Sequence, residues 1–354
     1  MGTVNTLTPL DSEDVAWFRD DPSLPVAARG AAATLARRLG LGSHRSAEVA
    51  LAVTEAATNL RRHAEDGALL LRTVRTEDTA GVECLTIDSG PGMADVAAAM
   101  ADGNSTGGTL GIGLGAVARL ADDFDVHSIP GRGTVMSARF WGRGRDGRPV
   151  VPPADETVLA GVTRPISGES VCGDAWAARA DGDRGASDHA LVVMLCDGLG
   201  HGPLAARAGE AAVRAFHETR DLSPEGVLNS VHLALRGTRG GAVSVMRIEP
   251  HAHRVLFCGI GNVSGYLVHD GSRRALLSAP GIVGSHMRRL RTFQEPLPEH
   301  SALVMHSDGL TDRWDHTTMP GLFSRSPLVV SGHLLREAGI RRDDAGVVVV
   351  KGAW

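Results

Sequence analysis

The chain has 354 residues, 43% hydrophobic and 22% charged, with a formal net charge of −5, long enough for about two domains that each bury a core. Its 36 basic side chains include a single lysine, Lys351, which excludes chemistry needing a lysine inside the fold: a Schiff base, a P-loop lysine, or a kinase lysine paired to a helix glutamate. The mild acidity argues against a nucleic-acid partner, and no apolar run approaches the roughly 18 residues of a membrane span. Cys84, Cys172, Cys196 and Cys258 have no CxxC spacing and, with no secretory signal pattern, read as buried reduced thiols of a cytoplasmic protein.

In the first half, helix and strand signals alternate. Ala31 to Leu39 is a short helix stopped at Gly40, and Ser46 to Ala64 a longer one with Val49, Val53, Ala56 and Leu60 on one face. Glu55 and Asn59, four apart on that helix, share a face that Arg62 and His63 continue. Ala68 to Thr76 and Val82 to Asp88 read as a hairpin, with Asp88-Ser89-Gly90-Pro91-Gly92 at its end. After a short helix from Ala94 to Ala101, Gly103, Gly107, Gly108, Gly111, Gly113 and Gly115 lead into a helix from Gly115 to Ala121. Gly-rich backbone before a helix N-terminus holds phosphate through N–H groups rather than through lysine. Strands Asp125 to Ile129 and Thr134 to Phe140 close the sheet.

A Gly-, Arg- and Pro-rich stretch, 142–155, reads as a linker with the boundary near residue 148. Residues 1–141 are net acidic and residues 156–354 are balanced. The second half is richer in strands: Ala190 to Cys196, Ala242 to Ile248, Arg254 to Gly259, Gly265 to His269, Ser301 to His306 and Gly346 to Lys351. Helices run from Pro203, at a first helical position, to His217, and from Pro224 to Leu235. Four acidic motifs stand out: Gly173-Asp174, Asp197-Gly198, Asp308-Gly309 and Asp343-Asp344, three of them at predicted strand ends. A single Asp-Gly is ordinarily a turn, but carboxylates gathered on one lip repel unless cations lie between them. Oxygen-only ligands suit Mg²⁺ or Mn²⁺, and two such ions can activate a water for attack on phosphorus.

The order of motifs in the first half resembles the ATPase domain shared by DNA gyrase, the heat-shock chaperones and histidine kinases, and within it the bacterial switch-protein serine kinases and anti-sigma factors. Over roughly residues 10–140 the resemblance implies a two-layer α/β sandwich that binds ATP. Asn59 would ligate Mg²⁺ with the phosphates, Glu55 would act as base or polariser, and Asp88 would bind the adenine amino group. Gly90 and Gly92 would flank that contact, Gly107, Gly108, Gly111, Gly113 and Gly115 would form the ATP lid, and Thr134 would help hold Asp88 and the base. In the second half, Asp197-Gly198-Leu199-Gly200-His201-Gly202-Pro203, Gly259-Ile260-Gly261-Asn262-Val263, Ser307-Asp308-Gly309-Leu310-Thr311-Asp312 and Asp343-Asp344 resemble the SpoIIE-type metal-dependent serine/threonine phosphatases. This implies a four-layer α-β-β-α sandwich over residues 156–354. Asp197 would bridge two Mg²⁺ or Mn²⁺ ions and the Gly198 carbonyl would ligate one. Asp308 and Asp343 would hold the other, with Asp343 preferred to Asp344, and Asp174 would act through water. Ala175-Trp176 stands where the family commonly has two aromatics and an aspartate, and no arginine is placed to grip the substrate phosphate.

Together the resemblances imply an α/β (α+β) enzyme of two domains in a bacterial partner-switching circuit. Its C-terminal domain would dephosphorylate a STAS-domain antagonist or stressosome-type protein. Its N-terminal domain would phosphorylate a partner serine or threonine or, alternatively, sense ATP without turnover or bind a sigma factor.

Overall fold

The structure, a computed structural model, describes residues 16–19, 21–75, 79–101, 113–144, 150, 157–182, 189–287, 289–340 and 342–352. It divides into two compact units. The first joins Glu13–Pro153 with Gly321–Arg336, and the second joins Ala154–Pro320 with Glu337–Trp354.

The first unit holds β1 (Ala16–Arg19), α1 (Leu24–Arg38), α2 (Gly42–His63), β2 (Ala68–Arg75), β3 (Ala80–Ile87), α3 (Val96–Met100), α4 (Gly113–Leu120), β4 (Asp123–Ile129) and β5 (Gly133–Trp141). Helix α1 begins at Leu24 rather than at Ala31, because Ser23 and Pro25 open it with a preset φ and no wasted N–H. Its buried row Leu24, Ala28, Ala32, Ala36 repeats every fourth residue and lets α1 lie close on α2. Val49, Val53, Ala56 and Leu60 are buried on α2, and Arg61, Arg62 and His63 sit in its last turn, where cations complement the helix dipole. The strands form one antiparallel sheet, β1-β2-β3-β5-β4. The core lies between its helical face and α1, α2 and α4, filled by Leu69, Leu71, Val82, Cys84, Met136, Ala138 and Phe140. Alternation sends Leu70, Arg72, Glu83, Leu85 and Val135 to the second face, where they are also buried. There Glu83 accepts from Arg72 and Arg139, each at 2.5 Å, so the buried acid is paired rather than isolated.

The second unit holds β6 (Thr157–Arg164), β7 (Asp174–Asp181), β8 (Ala190–Gly198), α5 (Pro203–Glu218), α6 (Pro224–Leu235), β9 (Gly241–Glu249), β10 (Arg254–Ile260), β11 (Ser264–His269), β12 (Ser272–Leu276), β13 (Ser278–Ala279), β14 (Phe293–Pro296), β15 (Ala302–His306) and β16 (Ala345–Gly352). One sheet runs β13-β10-β9-β8-β7, with β14 also on β10, and the other runs β12-β11-β15-β16-β6. Trp176, Leu195, Met246 and Phe257 of the first sheet meet Leu267, Leu303, Met305 and Val348 of the second. Helices α5 and α6 cover the outer face of the first sheet through Ala208, Ala212, Phe216, Val227 and Val231. Among the cysteines, Cys84, Cys196 and Cys258 are buried free thiols, whereas Cys172, expected to be buried, is only half-buried.

A last helix, α7 (Pro327–Ala338), follows β15 in the chain, yet as far as Arg336 it belongs to the first unit. Leu328, Val329, Val330, Ser331, His333, Leu334 and Leu335 are all buried, so α7 has no polar stripe facing water. It lies on the second face of the first sheet. A side chain at Gly332 would meet Val135 at 2.9 Å and Leu85 at 3.2 Å, so the glycine permits the close approach despite its cost in a helix.

Candidate functional site

Two sites are built at strand ends. In the first unit, α2 carries Glu55 and Asn59 one turn apart, both half-buried. Asp88 follows the last residue of β3 and shares parity with Val82, Cys84 and Thr86, which turns its carboxylate to the helical side. Its Oδ1 accepts from the Gly90 N–H at 2.8 Å and the Thr134 N–H at 3.3 Å, and its own N–H donates to the Thr134 carbonyl at 3.0 Å. Thr134 thus holds Asp88 through its backbone, while its hydroxyl pairs with Ser128 at 2.9 Å. Burial pushes the Asp88 carboxyl above its usual range, and the Gly90 and Thr134 N–H groups, then Arg336 and His63, pull it back.

Gly133 makes this contact possible. Its φ is +90°, and a Cβ would lie 2.0 Å from the Asp88 carbonyl oxygen, so no other residue fits there. Gly90 lies against the His63 carbonyl, Gly92 against the Ile129 carbonyl, and Gly115 against the Met100 carbonyl, while Gly113 opens α4. Gly107, Gly108 and Gly111 lie outside the described residues. Sequence reasoning missed Arg336, whose Nη1 donates to the Asp88 carbonyl at 3.1 Å. Nothing in the sequence of α7 marks it as part of this site.

In the second unit, Asp174 opens β7 and Asp197 lies near the end of β8, directly opposite each other in the antiparallel register. Asp308 follows β15, and Asp343 and Asp344 precede β16. Asp174 is buried and accepts from the Ser307 hydroxyl at 2.5 Å. Asp308 accepts from Asn262, and its charge acts on Asp197. Asp343 and Asp344 differ sharply. Asp344 is buried, with one carboxylate oxygen accepting from the Ile166 N–H and the other from the Gly173 N–H, both at 2.7 Å. Asp343 caps only the N–H of Asp344, at 2.9 Å, and its charge acts on Asp174, Asp197 and Asp308. Gly198 donates its N–H to the Gly173 carbonyl at 3.2 Å, which ties the two Asp-bearing loops together. His201 faces Glu169 at 3.3 Å. Sequence reasoning gave no role to Asn262 or Ser307, although both stand inside motifs that it singled out.

The electrostatics of this cluster are one-sided. Burial, with Asp344, Asp308 and Asp343 adding repulsion against the Ser307 hydrogen bond, pushes Asp174 up to about 8. Burial and then Asp174, Asp308 and Asp343 push Asp197 up to about 9. Burial and Asp343 raise Asp308. Among the described residues, no three His, Cys, Asp or Glu side chains stand close enough to hold a metal ion by themselves. Hard divalent cations that keep several waters and accept carbonyl oxygen fit such an open, oxygen-only lip, and they would relieve the repulsion. Among the described residues, no helix is long and apolar enough to cross a membrane.

Residues 18–140 match the family model for a histidine kinase-like ATPase domain, and residues 187–351 match that for Stage II sporulation protein E (SpoIIE). The serine/threonine-protein kinase RsbT of Bacillus subtilis (strain 168) is 37% identical over 116 residues, which cover 33% of this chain and 87% of RsbT. The phosphoserine phosphatase RsbX of the same organism is 26% identical over 145 residues, covering 40% of this chain and 69% of RsbX. A crystal structure of RsbX in complex with magnesium aligns with 55% of this chain and 95% of that chain, at 21% identity and a TM-score of 0.47. The chain therefore belongs to the histidine kinase-like ATPase family through its N-terminal half, and its C-terminal half is a SpoIIE-type phosphatase domain.

Proposed function

We propose that the chain sets the phosphorylation state of a STAS-domain protein in a partner-switching or stressosome circuit, acting from both of its sites. The second unit removes phosphate from a phosphoserine or phosphothreonine. One observation carries this reading: Asp174 and Asp197 at paired strand ends of one sheet and Asp308 and Asp343 beside strand ends of the other act on one another as like charges. Asp197 would bridge two Mg²⁺ or Mn²⁺ ions, with the Gly198 carbonyl on one, Asp308 and Asp343 on the other, and Asp174 acting through water. Bound there, the ions would supply a hydroxide-like water and neutralise the phosphoryl oxygens. The protein's own part is to orient the carboxylates: Ser307 holds Asp174 and Asn262 holds Asp308. Asp344, occupied by two backbone N–H groups, shapes the loop, which supports Asp343 as the ligand.

The first unit binds ATP with Mg²⁺ and transfers the γ-phosphate to a partner serine or threonine, as the likeness to RsbT supports. Asp88 would receive the adenine amino group, Asn59 would ligate the Mg²⁺, and Glu55 would accept or polarise the attacking hydroxyl. The test is to incubate the chain with a STAS-domain protein in both phosphorylation states. Phosphate loss with Mn²⁺ and phosphate gain with ATP and Mg²⁺ are read by intact mass. The expected result is loss of about 80 Da in the first case and gain of about 80 Da in the second, the mass of one phosphoryl group. Loss that persists in chelator overturns the metal assignment, and no mass change with ATP and Mg²⁺ in the Asp197→Ala chain overturns the kinase assignment.

A further inference from the structure

We propose that Arg336 of α7 is a positioning residue for adenine recognition at Asp88. The inference rests on the reading that the Asp88 carboxylate receives the adenine amino group.

Asp88 is held from both faces of its sheet. On the helical side, its carboxylate is fixed by the Gly90 and Thr134 N–H groups. From the other side, Arg336 donates Nη1–H to its carbonyl at 3.1 Å. The arm that brings Arg336 there is itself anchored. At the start of α7, the Ser326 N–H donates to Asp125 Oδ2 at 2.6 Å. At mid-helix, Gly332 lies against Leu85 and Val135 of the strands that flank Asp88. One turn before its end, His333 meets His127 of β4 edge-on, with ring centroids 4.8 Å apart, and lies 3.0 Å from Nη2 of Arg336. The guanidinium is therefore carried on a fixed frame, and its rotamer freedom is spent before nucleotide binds.

The contact has a chemical consequence. An ionised carboxylate offers acceptors only, which selects an exocyclic amine, whereas burial alone favours the protonated form. The Arg336 guanidinium acts against this at Asp88, with a smaller pull from His63, and Arg336 adds a hydrogen bond to the carbonyl that fixes where the side chain begins. With Arg336 removed, Asp88 would be less sharply placed and more readily protonated. A protonated carboxyl can donate to a purine carbonyl as well as accept, so discrimination between an amino group and a keto group at the purine C6 would fall.

The test compares ATP with inosine triphosphate on the full chain with Mg²⁺, reading dissociation constants for both. Arg336→Ala is expected to raise the Kd for ATP about tenfold and to cut the ATP-over-inosine preference by a similar factor, in keeping with loss of one charge-assisted constraint. Arg336→Gln, which keeps an N–H and most of the bulk but loses the charge, should show a several-fold cut and covers the case in which the alanine variant does not fold. Arg336→Lys should restore most of the preference. A purely structural role would weaken both nucleotides equally, so an unchanged ratio in Arg336→Gln overturns the proposal. Asp88→Asn separates the two readings. If it leaves the ratio intact, the assignment of adenine to Asp88 fails; if it abolishes the ratio while Arg336→Gln does not alter it, only the role of Arg336 fails.

Discussion

The two sites solve opposite electrostatic problems. At Asp88 a single half-buried acid is met by two backbone N–H groups and by the charges of Arg336 and His63, so the protein supplies its own counterbalance. At the β7–β8 edge, acids are set against acids, and burial and mutual repulsion push Asp174 to about 8 and Asp197 to about 9. The first arrangement suits a neutral ring that brings donors; the second suits a ligand that brings positive charge. The single lysine of the chain takes part in neither of these balances.

The comparison breaks most visibly if the two sites are not separable. Asp197→Ala is expected to lower kcat/KM for phosphoserine hydrolysis by about a thousandfold or more, since it removes the proposed bridge between two ions. ATP affinity should stay within about twofold of the parent, because sites without shared partners add independently. Loss of both functions together, measured by hydrolysis rate and calorimetric titration, would refute the separation. Conversely, Glu55→Ala is expected to cut phosphoryl transfer by about a hundredfold, the usual contribution of a general base, with ATP binding retained. Transfer that survives at the parent rate removes Glu55 from its assigned role.

What was legible in the sequence follows the same division. The Glu55–Asn59 face, Asp88 at the end of β3, and the acids beside β8, β15 and β16 could be read because each sits at the edge of a strongly periodic element. Strand β7 could not: its run Asp174-Ala175-Trp176-Ala177-Ala178-Arg179-Ala180-Asp181 lacks β-branched residues, and its strand form comes from pairing with β8 and from burial of Trp176, a tertiary override of propensity. Helix α7 was invisible for the converse reason. Val329, Val330, Ser331 and Gly332 are poor helix formers, and a helix buried all round shows no amphipathic period. Its contacts with β3 and β5 are also far apart in sequence, so Arg336 gave no local signal. Asp343 and Asp344 are adjacent acids, and only the hydrogen bonds from Ile166 and Gly173 tell them apart.

That difference yields a sharper test within the second site. Asp344→Ala leaves the buried Gly173 N–H and the half-buried Ile166 N–H without their acceptor, at a cost of about 1–3 kcal/mol for the buried one, and is expected to lower the melting temperature by several degrees even in metal-free protein. Asp343→Ala loses one local cap and should leave the metal-free melting temperature nearly unchanged while weakening Mn²⁺ binding about tenfold or more. The reverse pattern, in paired melting and titration curves, would exchange the two roles.

The most direct probe of the electrostatic contrast is the pH dependence of stability. Asp174 and Asp197 have folded-state values of about 8 and about 9 against an ordinary 3.8, so between those limits the native state binds protons that the unfolded chain has released. Stability then falls as pH rises: the contribution is intact below the ordinary carboxylate range and is lost as pH passes through the raised values. Acids held low by their partners, such as Glu249 between Arg247 and Arg254, respond in the opposite sense, gaining stability above their ordinary range and losing it only on acidification, and so leave the alkaline window clear. In chelator, the melting temperature should therefore decline steeply, by on the order of ten degrees or more, from about pH 5 to about pH 9. Saturating Mg²⁺ should flatten the curve, because the bound ions hold the carboxylates ionised at every pH in that range. Asp88 predicts no such metal response, since its balance is made by Arg336, His63 and backbone N–H groups. A metal-free curve that is flat, or that rises with pH, would mean that burial and mutual repulsion do not hold Asp174 and Asp197 protonated in the native state.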